Sequence, residues 1–171
     1  MRSMLLVACV AAAVAGGCGP KARVTMFDPA EYEPYLKAGT GSIEGQAFIR
    51  TQGGGVVTAA GRGVHLNPAT EYAREWYESA VINGVPLETD RDQAAGAAIR
   101  ATRRSTIADA SGRFRFDGLP AGEYYITSEI SWEVPVGYYG GGVASTRTET
   151  YGAHAKVTVQ DGQVTRAIVT R

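Results

Sequence analysis

The sequence holds two histidines, His65 and His154. Imidazole is the side chain that most readily binds metal or moves protons near neutral pH. A zinc site needs further His, Cys or carboxylate ligands at close spacing. Neither histidine has them, since at His-x-x-Glu spacing His65 meets Pro68 and His154 meets Val157. The sequence shows no serine nucleophile elbow, Gly-rich phosphate loop or Cys–His pair. The expectation is therefore no catalytic residue, no metal and no cofactor. By strand alternation both histidines fall on outward faces, where a pair without ligand spacing is ordinarily solvated. The sharper alternative brings them together with a Glu or Asp around a metal.

The aromatic residues are the stronger lead. Trp132, Tyr138, Tyr139 and Tyr151 flank a Gly- and Tyr-rich stretch, Gly137 to Gly142, which reads as a loop. Trp76 and Tyr77 sit in a segment of helical period. Flat amphipathic rings stack on sugar faces or anchor a protein partner. They also serve simply to pack a helix on a sheet. Exposed rings lining a groove would favour sugar, and a broad apolar patch would favour a protein partner. A closed polar pocket joining a histidine to carboxylates would favour an enzyme.

These residues depend on strands for their placement. Ile43 to Ile49 alternates as a strand. Gln52 to Gly61 is Gly-rich and reads as a loop. Gly63 to Leu66 puts Val64 and Leu66 on one face and His65 on the other. The period then changes: Tyr72, Ala73, Trp76, Tyr77, Ala80 and Val81 predict an amphipathic helix over 70–81, with Thr70 as cap and Glu71 in the first turn. A polar segment follows to Ala101, with a second short helix expected around Gln93 to Ala98. Arg113 to Phe116 alternates strictly, and Tyr124 to Trp132 is a long strand. Ala153, Ala155, Val157 and Val159 make one inward face, and Asp161-Gly162 is a tight hairpin turn. In the last strand the pattern slips between Val164 and Ala167, which a bulge would reconcile. The expected fold is mainly β, an Ig-like or prealbumin-like seven-stranded two-sheet sandwich with an inserted amphipathic helix.

Thr106 to Ile126 resembles the signature of carboxypeptidase regulatory-like domains: a strand ending T-x-D, then G-x-F-x-F, a short turn, and L-P-x-G-x-Y. Here these are Thr106-Ile107-Ala108-Asp109, one residue longer than T-x-D, then Gly112 to Phe116 and Leu119 to Tyr124. Ser42 to Ala47 and Gly61 to Leu66 resemble the family's first two strands. The resemblance covers Ser42 to Arg171 apart from an insertion over about 70–101. It implies a transthyretin-like sandwich with Phe114, Phe116, Leu119 and Tyr124 in one core, and it leaves function open. Transthyretin-like hydroxyisourate hydrolases carry a Tyr-Arg-Gly-Ser ending, against Ile168-Val169-Thr170-Arg171 here. Pilin-like relatives use Lys–Asn isopeptide bonds, for which the first strand has no Lys and the last no Asn.

The N-terminus reads as an export signal: Arg2, an apolar run from Met4 to Ala15, then small residues before Cys18. That run is shorter than the ~20 apolar residues a bilayer span needs. Ala15-Gly16-Gly17-Cys18 resembles the bacterial lipobox, with Ala where Leu is usual. It implies cleavage before Cys18 and a lipid on that cysteine, as a membrane anchor. Leu6-Val7-Ala8-Cys9 fits the box by letter but comes too early. Cys9 leaves with the signal, so no intrachain disulfide can form. Residues 1–17 are then the signal, 18–40 a lipidated tether on which Tyr32, Tyr35 and Leu36 could dock, and 41–171 the domain. Asp28 and Pro29 suit the start of one helical turn in the tether.

Charge is balanced, 17 Lys and Arg against 17 Asp and Glu. That excludes a basic nucleic-acid footprint. The expectation is a non-enzymatic accessory or interaction module in the cell envelope, in the outer membrane if the organism has one. Its partner would be an envelope protein, or a polysaccharide bound through the aromatics around Gly137 to Gly142.

Overall fold

The computed structural model describes residues 19–88 and 92–171, with the backbone alone at 138, 143 and 144. The expected signal peptide, Cys9 and the lipidation site Cys18 lie outside the described residues.

The expected β-sandwich is the fold. One sheet is built around β1 (Gly41–Arg50). It pairs antiparallel with β2 (Val56–Thr58) and β5 (Arg113–Leu119), and parallel with β8 (Val164–Val169). The other sheet has the order β4-β3-β6-β7, with β3 at Gly63–Pro68, β4 at Arg104–Ile107, β6 at Gly122–Tyr139 and β7 at Gly142–Val159. The eighth strand is β2, three residues inside the stretch that reads as a loop from its glycines. Strand alternation supplies the core. Ile43, Val64, Leu66, Phe114, Phe116, Leu119, Tyr124, Ile126 and Val169 all bury between the sheets. A Cβ at Gly45 would collide with the Phe114 ring, so the glycine lets that ring lie flat on β1. The Tyr124 hydroxyl donates to the Pro120 carbonyl at 2.8 Å. That bond ties the ends of the Leu-Pro-x-Gly-x-Tyr motif together across its turn, and burial pushes the phenol's pKa well up.

Two strand expectations change. No bulge interrupts β8, which runs in continuous register with β1 from Ser42–Val164 to Ala47–Val169. Val164 is 52% exposed, so it was never on the inward face that Ala167 and Val169 share. The Asp161-Gly162 turn is present, with Gly162 at φ 69°, but it delivers β7 and β8 to different sheets.

The insertion between β3 and β4 forms a second layer. α1 (Glu71–Trp76) is capped by Thr70, whose hydroxyl accepts from the Ala73 amide at 3.1 Å. The helix widens into a π-helical turn over Tyr77–Ile82, and α2 spans Gln93–Thr102 with Asp92 as its cap. A small core of Tyr32, Tyr72 and Ala95, flanked by Phe27, Ala98 and Ile99, joins α1, α2 and the N-terminal segment.

That segment lies on the insertion rather than reaching away from it. The Val24 and Thr25 amides each donate to the buried Glu75 carboxylate at 2.9 Å. Lys21 bridges to Leu87, with its amide donating to the Pro86 carbonyl. Asp28 caps a short 3-10 turn at Pro29–Glu31. Tyr32 is buried and Tyr35 packs edge-on against Tyr124, while Leu36 stays exposed. Arg23, Thr25 and Phe27 face the domain, and Ala22, Val24 and Met26 face outward.

Candidate functional site

The outer face of the β4-β3-β6-β7 sheet carries a groove of about 1010 Å³, roofed by the insertion. Strand register sets its floor. His65 on β3 pairs with Thr127 on β6, and Thr127 pairs with His154 on β7. The two histidines therefore stand in one row across three strands, with Cα atoms roughly 10 Å apart at two strand spacings. The next row along is nearly bare. Glu129 pairs with Gly152, and Gly63, one step beyond the Val64–Ser128 pair, is level with Glu129 on the other side. A Cβ at Gly152 would meet nothing within 4 Å. Glu129 thus stands between two glycines, with the floor open above Gly152 and the His65 ring lying over Gly63. Ser131 and Thr150 make the row after that.

The roof is held by aromatic contacts. Tyr77 stacks on Tyr125 with centroids 4.0 Å apart and planes 12° from parallel. It meets His154 edge-on at 5.6 Å, and its hydroxyl shares a hydrogen bond with His154 Nδ1 at 2.9 Å. His65 Nδ1 makes the equivalent bond to the Ser105 hydroxyl, also at 2.9 Å. His65 Nε2 lies over Gly63, 3.2 Å from where a Cβ there would stand. Burial lowers the pKa of both histidines, and Arg103 lowers that of His65 further while Glu129 raises it. Neutral imidazole, which can both donate and accept, is the form the site favours.

Trp76 lies half-buried at the roof edge, where the groove meets a smaller cavity of about 240 Å³. Arg103 lines both. Arg62 and Arg171 also line the groove. An aromatic wall, hydroxyls, neutral imidazoles, a carboxylate and guanidinium groups around an open floor can stack on a ring and exchange hydrogen bonds with its substituents. No group of three or more His, Cys, Asp or Glu capable of holding a metal occurs among the described residues.

The aromatic residues singled out by sequence are dispersed. Trp132 and Tyr151 stack on each other at 5.5 Å and pack against the main core. Tyr151 also borders the groove, where the Arg171 guanidinium covers its ring at 4.5 Å. Tyr139 is 87% exposed, seven residues beyond Trp132 on the same strand and so roughly 23 Å away along it. The Tyr138 backbone pairs with Val143 beside it. Gly137 to Gly142 is not a loop. β6 and β7 stay paired up to a turn at Gly140-Gly141, both with positive φ, and form the tip of a long ribbon. Glycine content signalled a turn but not how far pairing continues around it. Sequence placed both histidines outward and Trp76 on the insert. The pairing of His65 and His154 with one residue, Thr127, depends on register, which composition does not encode. Arg62 and Glu129 carried no signal beyond being polar, and Arg103, clustered with Arg100 and Arg104, reads from sequence as part of an exposed solvated face.

No family model and no curated protein sequence matches the chain. Among solved structures it is similar to a provisionally assigned carbohydrate-binding protein from Pseudomonas aeruginosa, with 27% identity and a TM-score of 0.67, over 87% of this chain and 100% of that one. It aligns more distantly with a minor pilin of Streptococcus agalactiae, at 15% identity and a TM-score of 0.37, over 78% of this chain and 44% of the pilin. A streptococcal ancillary pilin aligns at 16% identity and a TM-score of 0.30, over 79% and 30% respectively.

Proposed function

We propose that the protein is a non-enzymatic carbohydrate-binding module of the bacterial cell envelope, with the roofed groove as its binding site. The observation that carries this reading is the groove floor: Glu129 beside the open position at Gly152, bounded by His65 and His154, with Trp76 in the roof. A sugar ring presents a flat apolar face and an edge of hydroxyls, and this arrangement offers a counterpart to each. The likeness to the Pseudomonas aeruginosa protein supports the same class. The sandwich is read as a carboxypeptidase regulatory-like domain on the motif from Thr106 to Ile126.

The module is held to its membrane, the outer membrane if the organism has one, by lipid on Cys18. The outward row of Ala22, Val24 and Met26 supports that placement, since Val24 is 76% and Met26 89% exposed within a few residues of the cysteine. Apolar side chains facing outward while Arg23 and Thr25 face inward suit a segment lying at a lipid surface. A second reading, contact with an envelope protein, is favoured by the projecting ribbon and the exposure of Tyr139 and Val136 at its end.

Binding of the full chain to a glycan and peptidoglycan panel tests the first reading. The expected result is a retained glycan whose binding drops about tenfold in Trp76→Ala and is unchanged in Tyr139→Ala. Loss with Tyr139→Ala alone would move the site to the ribbon. Cys18→Ser is expected to release the protein from the membrane fraction; if it remains there, the lipid anchor is wrong.

A further inference from the structure

We propose that the groove selects acidic glycans, binding the carboxylate of uronic-acid units at Arg103 and Arg62 while Glu129 accepts hydrogen bonds from their hydroxyls. This rests on the carbohydrate reading of the same groove and names its ligand class. The chain as a whole is electrically balanced, yet the groove is lined by three arginines and one carboxylate. None of the described ion pairs draws on Arg62, Arg103 or Arg171. By contrast Arg74 is paired with Glu71 and Glu78, and Arg115 with Glu44 and Asp117. Arg62 donates to the Ser131 carbonyl at 3.4 Å and Arg171 covers Tyr151, so each has a neutral partner and no carboxylate among these pairs offsets its charge. The influence of Arg103 on His65 shows that its field reaches the floor.

A guanidinium matches a carboxylate in plane and in donor spacing, which a neutral sugar cannot use. Placement of the two arginines gives direction and length. Arg103 precedes β4 and, one step past the Leu66–Arg104 pair, is level with Asn67. Arg62 precedes Gly63 at the opposite end of β3. Five residues of strand separate the two levels, roughly 17 Å, which is longer than one sugar ring. Glu129 lies between them and repels a second carboxylate at mid-groove. The arrangement thus suits a chain with carboxylates towards its ends and hydroxyls at its centre, rather than a monosaccharide.

The test is calorimetry of the full-length protein with oligomers of galacturonate, mannuronate and guluronate and with hyaluronan fragments. Each is paired with its methyl ester, beside neutral glucan and chitin oligomers. At least one acid oligomer is expected to bind, about tenfold more tightly than its ester, with affinity falling as salt is raised. Arg103→Gln and Arg62→Gln should each cost about tenfold, with Arg103→Lys between them and the native protein. Both arginines are exposed, so unchanged melting would show that the variants fold. Equal binding of ester and acid, preference for a neutral oligomer, or indifference to both substitutions would overturn acid selection and leave the carbohydrate site standing. Binding to no glycan at all would overturn both.

Discussion

The sandwich and its insertion are stabilised in different ways. Between the sheets, side chains from β1, β3, β5, β6, β7 and β8 meet in one continuous core. In the insertion the buried cluster is Tyr32, Tyr72 and Ala95, and attachment relies on polar devices: the Glu75 carboxylate under two amides, the Thr70 hydroxyl on the Tyr32 hydroxyl, and Tyr77 on His154. Apolar burial is additive and forgiving of small shifts, whereas a buried carboxylate depends on every one of its donors. The sandwich is built to be a fixed floor. The insertion is a cover whose hold on it can be loosened piece by piece, and the groove lies between the two.

The largest expected effect tests the floor. Ile126→Ala removes a fully buried side chain from the first third of β6 and should lower global stability by about 2–5 kcal/mol, read as a denaturation midpoint. Glu75→Ala comes next. It leaves the Val24 and Thr25 amides without their acceptor, at a cost of about 1–3 kcal/mol. Hydrogen exchange at those amides should speed up while the global midpoint moves less than in Ile126→Ala. Equal global losses would mean that floor and cover unfold as one unit, and the distinction would fail.

Acid should produce a smaller shift. His65 and His154 have folded pKa values lowered by burial, so the unfolded or uncovered state takes up protons first. Stability is fully present above the ordinary histidine pKa of 6.5 and declines as pH falls from there towards the lowered folded values. Melting temperature at pH 5.5 should lie below that at 7.5, and His154→Gln should flatten the difference; a profile unchanged by that substitution would remove His154 as a cause. The smallest effect belongs to the ribbon. Tyr139→Ala should change stability by less than about 0.5 kcal/mol, because its ring touches little of either region; a larger loss would mean that the ribbon end is packed in solution.

Sequence made the floor legible and the cover only partly so. Phe114 and Phe116 alternate, Leu119 to Tyr124 spells out a turn and its tie, and Val64 and Leu66 flank an outward His65, so local pattern and final burial agree. Thr70 and Asp28 announced their helix starts for the same reason: a cap is a local event. Glu75 and Ser79 are buried against expectation, because what buries them arrives from elsewhere. Glu75 meets amides some fifty residues upstream, and the Ser79 hydroxyl donates to the Val85 carbonyl at 2.7 Å. The π-helical turn adds to this by rotating the faces that a 3.6-residue period assigns. The groove was the least legible part, since residues of three strands make its floor and only their register brings these together.

The clamp of Lys21 onto Pro86 and Glu88 has a mechanical consequence. Its amide donates to the Pro86 carbonyl at 2.8 Å, and its own carbonyl accepts from the Glu88 amide at 2.9 Å. Tension applied upstream of Gly19 is thus delivered first to the insertion, next to the amides seated on Glu75, and only then to β1 and the sandwich. The three are elements in series, with two backbone hydrogen bonds placed nearest the pull. A drag force on the chain's N-terminal end would load the cover before it loaded the floor.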